Sequence, residues 1–99
     1  MAARVVTVVD ARVDPARDAE LIAGYQSMNE GARLDGLLRS ELLRGQDGIW
    51  RIQSTWRDMD ALAALRSSGV RPAALDLFES VEAQHSHGWF TVEQAYETP

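Results

Sequence analysis

Cysteine and lysine are both missing from this chain of 99 residues, and each absence closes off chemistry. Without cysteine there is no disulfide, thiol nucleophile, iron–sulfur cluster or thiolate zinc site. Every basic residue is arginine, which excludes Schiff-base chemistry and a lysine general base. Positive charge is short overall. A net charge of −5 argues against nucleic acid as a partner, because phosphate binding needs a positive surface. No apolar run approaches the ~20 residues needed to cross a bilayer, so no membrane partner is expected. The opening MAARVVTVVDARV is apolar but short and soon interrupted by acid, unlike a secretory leader. The expectation is a soluble, cytoplasmic protein. Internal repeats, linkers and low-complexity segments are also lacking.

What is present reads as globular. At 45% hydrophobic and 25% charged residues, the chain suits one domain over residues 1–99, large enough for a core and small enough for oligomerisation to matter. The stretch Ile49 to Ser68 is the most informative. Apolar residues alternate through Trp50, Ile52 and Trp56, and the period then turns helical at Met59, Leu62, Ala63 and Leu65. A strand therefore ends in tryptophan and runs into a short capped helix. Asp47-Gly48 just upstream predicts a tight reversal, because glycine accepts positive φ.

Elsewhere the pattern is equally directional. Arg4 to Val13 is rich in β-branched residues, with Val5, Thr7, Val9, Ala11 and Val13 on one face and Val6 and Val8 on the other. A strand apolar on both faces belongs at the centre of a sheet. Asp14-Pro15 predicts a helix start, reinforced by Asp18 and Glu20 at the positive end of the dipole. Leu21, Ile22, Tyr25, Met28 and Ala32 form its apolar stripe, and Gly31 to Gly36 ends it. Leu37 to Arg44 reads as a second strand, turned by Gly45 to Gly48 into the third. Gly69 breaks the chain after the helix from Met59 to Ser68. Pro72 starts another short helix, buried through Ala74, Leu77, Phe78 and Val81. Gln84 to Tyr96 looks extended, with Gly88 as a candidate bulge.

The order β-α-β-β-α-(α)-β is the split β-α-β pattern of an α+β, ferredoxin-like domain, a four-stranded antiparallel sheet with helices on one face. A bare apolar sheet face is an association surface, so a second copy packed sheet to sheet is the expected cover. This predicts a homodimer forming a dimeric α+β barrel, with the last strand helping to close it.

The sequence resembles the antibiotic biosynthesis monooxygenase superfamily of dimeric α+β barrels over nearly its whole length. VVTVVDARVDP is similar to the family's opening strand and helix start, and Leu34-Asp-Gly36 to the segment before strand two. TWRDMDALAALRSS resembles its most recognisable piece, a strand-terminal tryptophan and acidic cap before a short helix. The resemblance implies a pocket between sheet and helices. In some members it implies cofactor-independent oxygenation of aromatic polyketides, in others heme degradation or reactions of quinones and signalling metabolites. Two departures disfavour the heme branch. Leu65 stands where that branch carries its iron-ligating histidine, and the first strand has no asparagine for a catalytic amide. No cofactor and no metal is therefore expected.

Trp56 is the leading catalytic candidate, since the resemblance places the family's tryptophan in the pocket. Its indole N–H either holds a substrate carbonyl or oxyanion, or is bonded to backbone in the core. His85 and His87 share a face on a regular strand. Either would serve as a base near neutral pH, though a solvated strand-start histidine is the simpler reading. A His-x-His metal site lacks a visible third ligand. Tyr25 and Asn29, one helical turn apart, are candidate substrate-binding residues, as are Trp50, Ile52, Leu65 and Phe78 along the apolar walls. Tyr25 also fits the core, and Asn29 solvent. Arg51, Gln53 and Thr55 oppose Trp56 and would need pairing with Glu41 if enclosed by a partner. Trp89 and Phe90 read as interface or core.

Two functions from different classes are compatible with these residues. One is a cofactor-independent monooxygenase, an oxidoreductase acting on an electron-rich aromatic or quinol-type molecule. The other is a non-catalytic dimeric module that binds a small hydrophobic or aromatic ligand. An oxygen-independent isomerase or lyase is a weaker third. The association inference predicts a dimer at micromolar concentration in size-exclusion with light scattering, and a monodisperse monomer would refute it.

Overall fold

β1 (Val5–Arg12) lies at the centre of a four-stranded sheet of order β2-β3-β1-β4, and all its pairings are antiparallel. The computed structural model describes residues 2–31 and 34–99. β2 (Leu37–Arg44) and β3 (Ile49–Trp56) form a hairpin, and β4 (His85–Thr91) is the far edge. The reversal sits where expected. Asp47 and Gly48 have φ of 57° and 79°, and Ile49 N–H donates to Gln46 C=O at 3.1 Å, a turn whose twist matches the flanking strands.

The helices also follow their local signals. The Asp14 carboxylate accepts from Ala16 N–H at 2.9 Å over a 3-10 turn at Pro15–Arg17, which leads into α1 (Asp18–Met28). Asp58 accepts from Ala61 N–H at 2.9 Å and caps α2 (Met59–Ser67). Pro72 precedes α3 (Ala73–Ser80). Among the described residues no helix is long and apolar enough to cross a membrane.

Several expectations shift in detail. Ile22 is 44% exposed, so the stripe of α1 narrows to Leu21, Tyr25 and Met28, while Ala32 lies outside the described residues. On α2 the buried alanine is Ala61, because Ala63 faces solvent. Gly88 marks no bulge. The β1–β4 register runs unbroken from Val5↔Thr91 to Ala11↔His85, and the irregularity falls in β2 between Leu37 and Arg39. Past Thr91 the chain has no regular element, and Tyr96 is exposed.

Register assigns every side chain to a face. Val5, Thr7, Val9 and Ala11 pair with Trp56, Ser54, Ile52 and Trp50 on the helix-bearing side. The opposite side carries Val6, Val8, Leu43 and Phe90 among polar neighbours. Arg51 there pairs with Asp10 at 2.7 Å, and Glu41 pairs with Arg39 at 3.1 Å, so Glu41 is not the partner of Arg51. The hydrogen bond to Asp10 raises the pKa of the Arg51 guanidinium above its ordinary value.

Gly36 holds α2 against the hairpin. Its φ is +81°, its C=O accepts from Arg57 N–H at 2.8 Å, and an added Cβ would overlap the Ala61 side chain. Gly36→Ala is expected to cost about 1–3 kcal/mol through strain and crowding. Thermal denaturation should show a fall of roughly 4–24 °C; an unchanged midpoint would refute this account.

Candidate functional site

The hydrophobic core on the helix-bearing side is divided in two. Leu21, Trp50, Ile52 and Phe78 belong to one buried cluster under α1 and α3, together with Val9 and Ala11. Val5, Trp56, Ala61 and Leu62 form a second under α2, with Leu37, Met59 and Leu65 packed against it. Between the clusters the register lays one row straight across the sheet: Ser40, Ser54, Thr7 and Trp89. The three hydroxyl-bearing residues are half-buried, and Trp89 is 46% exposed. A band of hydroxyls thus separates two greasy patches.

Two further groups enter this band. The Tyr25 hydroxyl lies 2.7 Å from Ser40 Oγ, reaching down from α1. From the other cluster the Trp56 indole N–H donates to Thr7 Oγ1 at 3.1 Å. Trp56 is only 4% exposed, so its N–H needs an acceptor, and a side-chain hydroxyl supplies it rather than the backbone. Strand neighbours are about 4.8 Å apart, so the row spans roughly 14 Å from β2 to β4. This is an amphipathic strip with hydrogen-bonding groups at regular intervals.

The sequence-derived candidates do not all converge on it. Trp56 and Tyr25 each bond to a member of the band, Thr7 on β1 and Ser40 on β2, with Ser54 between them. Leu65 is half-buried beside the Trp56 cluster, whereas Trp50, Ile52 and Phe78 are packed in the other cluster. Asn29 caps the end of α1, and its Nδ2 donates to Tyr25 C=O at 2.9 Å, so its amide is tied to its own helix. His85 and His87 do share the helix-bearing face, opposite Ala11 and Val9. His85 is six positions along β1 from the Trp56 row, roughly 20 Å, and Nε2 lies 3.7 Å from Glu79 Oε1. His87 is two positions from Thr7, roughly 7 Å, and exposed. Among the described residues no three His, Asp or Glu side chains gather as a metal-binding set.

Thr7, Ser40 and Ser54, which line the band, are not among the sequence-derived candidates. Thr7 was legible as the one polar member of a valine face, but Ser40 and Ser54 become its neighbours only through register. Two shallow hollows of about 300 and 500 Å³ lie at the other end of the sheet, around Asp10 and Ile49, and neither is lined by Trp56. The smaller is lined by Asp10, Arg12, Ile49, Gln84 and Ser86 with His85, so one candidate histidine opens onto it, and the larger lies beside the Asp10–Arg51 ion pair with Leu43 and Gly45. The band beside Trp56 is the better candidate because hydroxyls and an indole meet there between apolar walls.

A family model described as antibiotic biosynthesis monooxygenase matches residues 4–76. Among solved structures, SnoaB from Streptomyces nogalater, described as a cofactor-independent oxygenase, is 27% identical. The alignment covers 95% of this chain and 97% of that one, with a TM-score of 0.70. A heme-degrading protein from Mycobacterium tuberculosis, in heme-free cleaved form, shares the fold at 19% identity and a TM-score of 0.74, covering 99% and 100% of the two chains. A conserved protein of unknown function from Bacteroides thetaiotaomicron does so at 14% identity and 0.66, covering 92% and 99%. No curated protein matches the chain.

Replacing Thr7 by Val keeps shape but leaves a buried indole N–H without an acceptor. Chemical denaturation of Thr7→Val is expected to show a loss of about 1–3 kcal/mol. Thr7→Ser, which keeps the oxygen, should recover most of it; equal losses would assign the cost to packing.

Proposed function

The chain belongs to the antibiotic biosynthesis monooxygenase family, and from that premise we propose that it is a cofactor-independent monooxygenase acting on an electron-rich aromatic or quinol-type small molecule. The observation that carries this reading is the hydroxyl band beside Trp56, set between two apolar clusters on the helix-bearing side. The similarity to SnoaB over nearly the whole chain supports the same reaction class. Leu65 supports it too, since a leucine offers iron no ligand.

The chemistry asks little of such a site. An electron-rich phenol, quinol or anthrone loses one proton and becomes an anion that reduces dioxygen directly. One oxygen atom enters the substrate, as the carbonyl that replaces an anthrone CH2 or as a hydroxyl on a quinol ring that is itself oxidised to the quinone. The other takes the two displaced hydrogens and leaves as water, so the substrate supplies all four electrons. The protein must bind the ring in a water-poor place, take the proton and stabilise the anion. The Trp56 indole, whose N–H is donated to Thr7 Oγ1, supports the anion through the hydroxyl band. A histidine takes the proton, and His87 is the nearer of the two to the row while His85 faces Glu79. The flat apolar walls suit an aromatic ring. Pairing of two copies through the helix-free face, where Val6, Val8, Leu43 and Phe90 lie, would enclose that side of the sheet.

A second reading has an observation of its own. The polar groups of the band are hydroxyls, with no acid–base pair among them, and both histidines are displaced along β4. That arrangement also fits a dimeric module that binds a small aromatic molecule without turning it over.

Oxygen uptake with an anthrone and a dihydroquinone, using 18O-labelled dioxygen, separates the readings. The oxygenase reading expects protein-dependent uptake and one labelled atom in the product. Trp56→Phe should lower the rate roughly a hundredfold, and His87→Ala by a similar factor. Uptake equal to buffer across such a panel, alongside saturable binding, would establish the binding module instead.

A further inference from the structure

The Trp56 N–H is already committed, and this changes which atom meets a ligand. Indole is a donor only, whereas a threonine hydroxyl accepts and donates. Thr7 Oγ1 accepts from Trp56, and among the described residues no acceptor for the Thr7 hydroxyl proton is found. An O–H that already accepts a hydrogen bond is a polarised, stronger donor. Thr7 is half-buried and Trp56 only 4% exposed, so of the two bonded side chains Thr7 is the more open to a ligand.

The other neighbour of Thr7 is Trp89, directly opposite it on β4 and on the same face. Trp50 and Trp56 are each 4% exposed, while Trp89 is 46% exposed on an edge strand. A large exposed aromatic beside an unspent donor is unusual for a packing residue. Cross-strand neighbours have Cβ atoms about 5 Å apart, so one flat ring can lie on the Trp89 face with an edge oxygen at the Thr7 hydroxyl.

We infer that Thr7 and Trp89 form the ligand-contacting pair of this site, for a planar aromatic ring bearing a carbonyl or phenolate oxygen at its edge. Thr7 donates to that oxygen, Trp89 stacks on the ring, and Trp56 is a positioning residue that acts through Thr7. This rests on the band being the ligand site, as the proposed function holds, and it adds the contacts that select the ligand.

The test uses two redox-quiet probes that differ in their oxygens, anthraquinone-2-sulfonate and anthracene-2-sulfonate, so binding is read apart from oxygenation. Calorimetry is expected to show Thr7→Val weakening the quinone roughly tenfold, the worth of one net hydrogen bond. The anthracene should be unaffected, and Thr7→Ser should restore quinone binding. Trp89→Ala should weaken both probes several-fold, with Trp89→Phe largely restoring them. In nitrogen–proton NMR the probes should move the Trp89 indole signal and leave that of Trp50 in place. Equal effects of Thr7→Val on both probes, or none from Trp89→Ala, would overturn the assignment. So would a Trp89 signal that responds to protein dilution but not to probe, since that residue would then contact a second copy. The Trp89 variants change an exposed edge position, so they remain informative even if Thr7→Val fails to fold. Loss of oxygen uptake with the probe signature intact would sink the oxygenase reading alone.

Discussion

The register of β1 between β3 and β4 is the constraint from which the site follows. Side chains alternate across a sheet, so a slip of one residue would turn Val5, Val9 and Ala11 to the helix-free side and bring Val6, Val8 and Asp10 under the helices. Val5 is fully buried and Ala11 nearly so, which makes such a slip costly. Because the register is held on both edges, Thr7 has no freedom about what stands beside it. Ser54 and Trp89 are placed there by the same pairing that buries the valines.

Breaking a small core with polar residues has a cost, and its distribution is informative. Each buried polar atom that lacks a partner forfeits a hydrogen bond it made in water. The structure meets this demand for the Trp56 N–H and the Tyr25 hydroxyl by giving each a hydroxyl partner. Replacing both partners of such a neutral bond by apolar groups of the same shape is often nearly neutral for stability. The band thus places satisfied hydroxyls, in place of methyl groups, between the two clusters.

The helix-free side obeys a different logic. Val6, Val8, Leu43 and Phe90 are interleaved with the Asp10–Arg51 and Arg39–Glu41 pairs, none of which is deeply buried in one chain. Such exposed pairs contribute little to the stability of a single copy, typically under about 1 kcal/mol each. Enclosure would change their worth, because desolvation strengthens the attraction and raises the penalty for leaving either partner alone. That the pairs are already matched within the chain means that a covering copy need not supply the counter-charges. The Arg44 guanidinium, 4.4 Å from the Trp50 ring centre, closes the rim of the larger cluster on the other side.

Much of the fold is legible in the sequence. The reversal at Asp47-Gly48, the caps at Asp14 and Asp58, the central place of Val5 to Arg12 and the strand ending at Trp56 are written in runs of a few residues. These signals act locally, through backbone angles and side-chain bonds to nearby amides, so sequence alone determined them, and the family with them. Trp56 was legible as a candidate for the same reason, being at the end of a recognisable local pattern. Gly88 misled because glycine in a strand has more than one local meaning, and the flanking register decided between them. Only the tertiary structure decided that the Trp56 proton belongs to Thr7, that Ser40 and Ser54 share that row, and that His85 stands some six residues away along the strand. Those facts depend on which strand lies beside which and in what register. Register is a property of pairs of segments far apart in the chain, set by their joint burial and not by either alone.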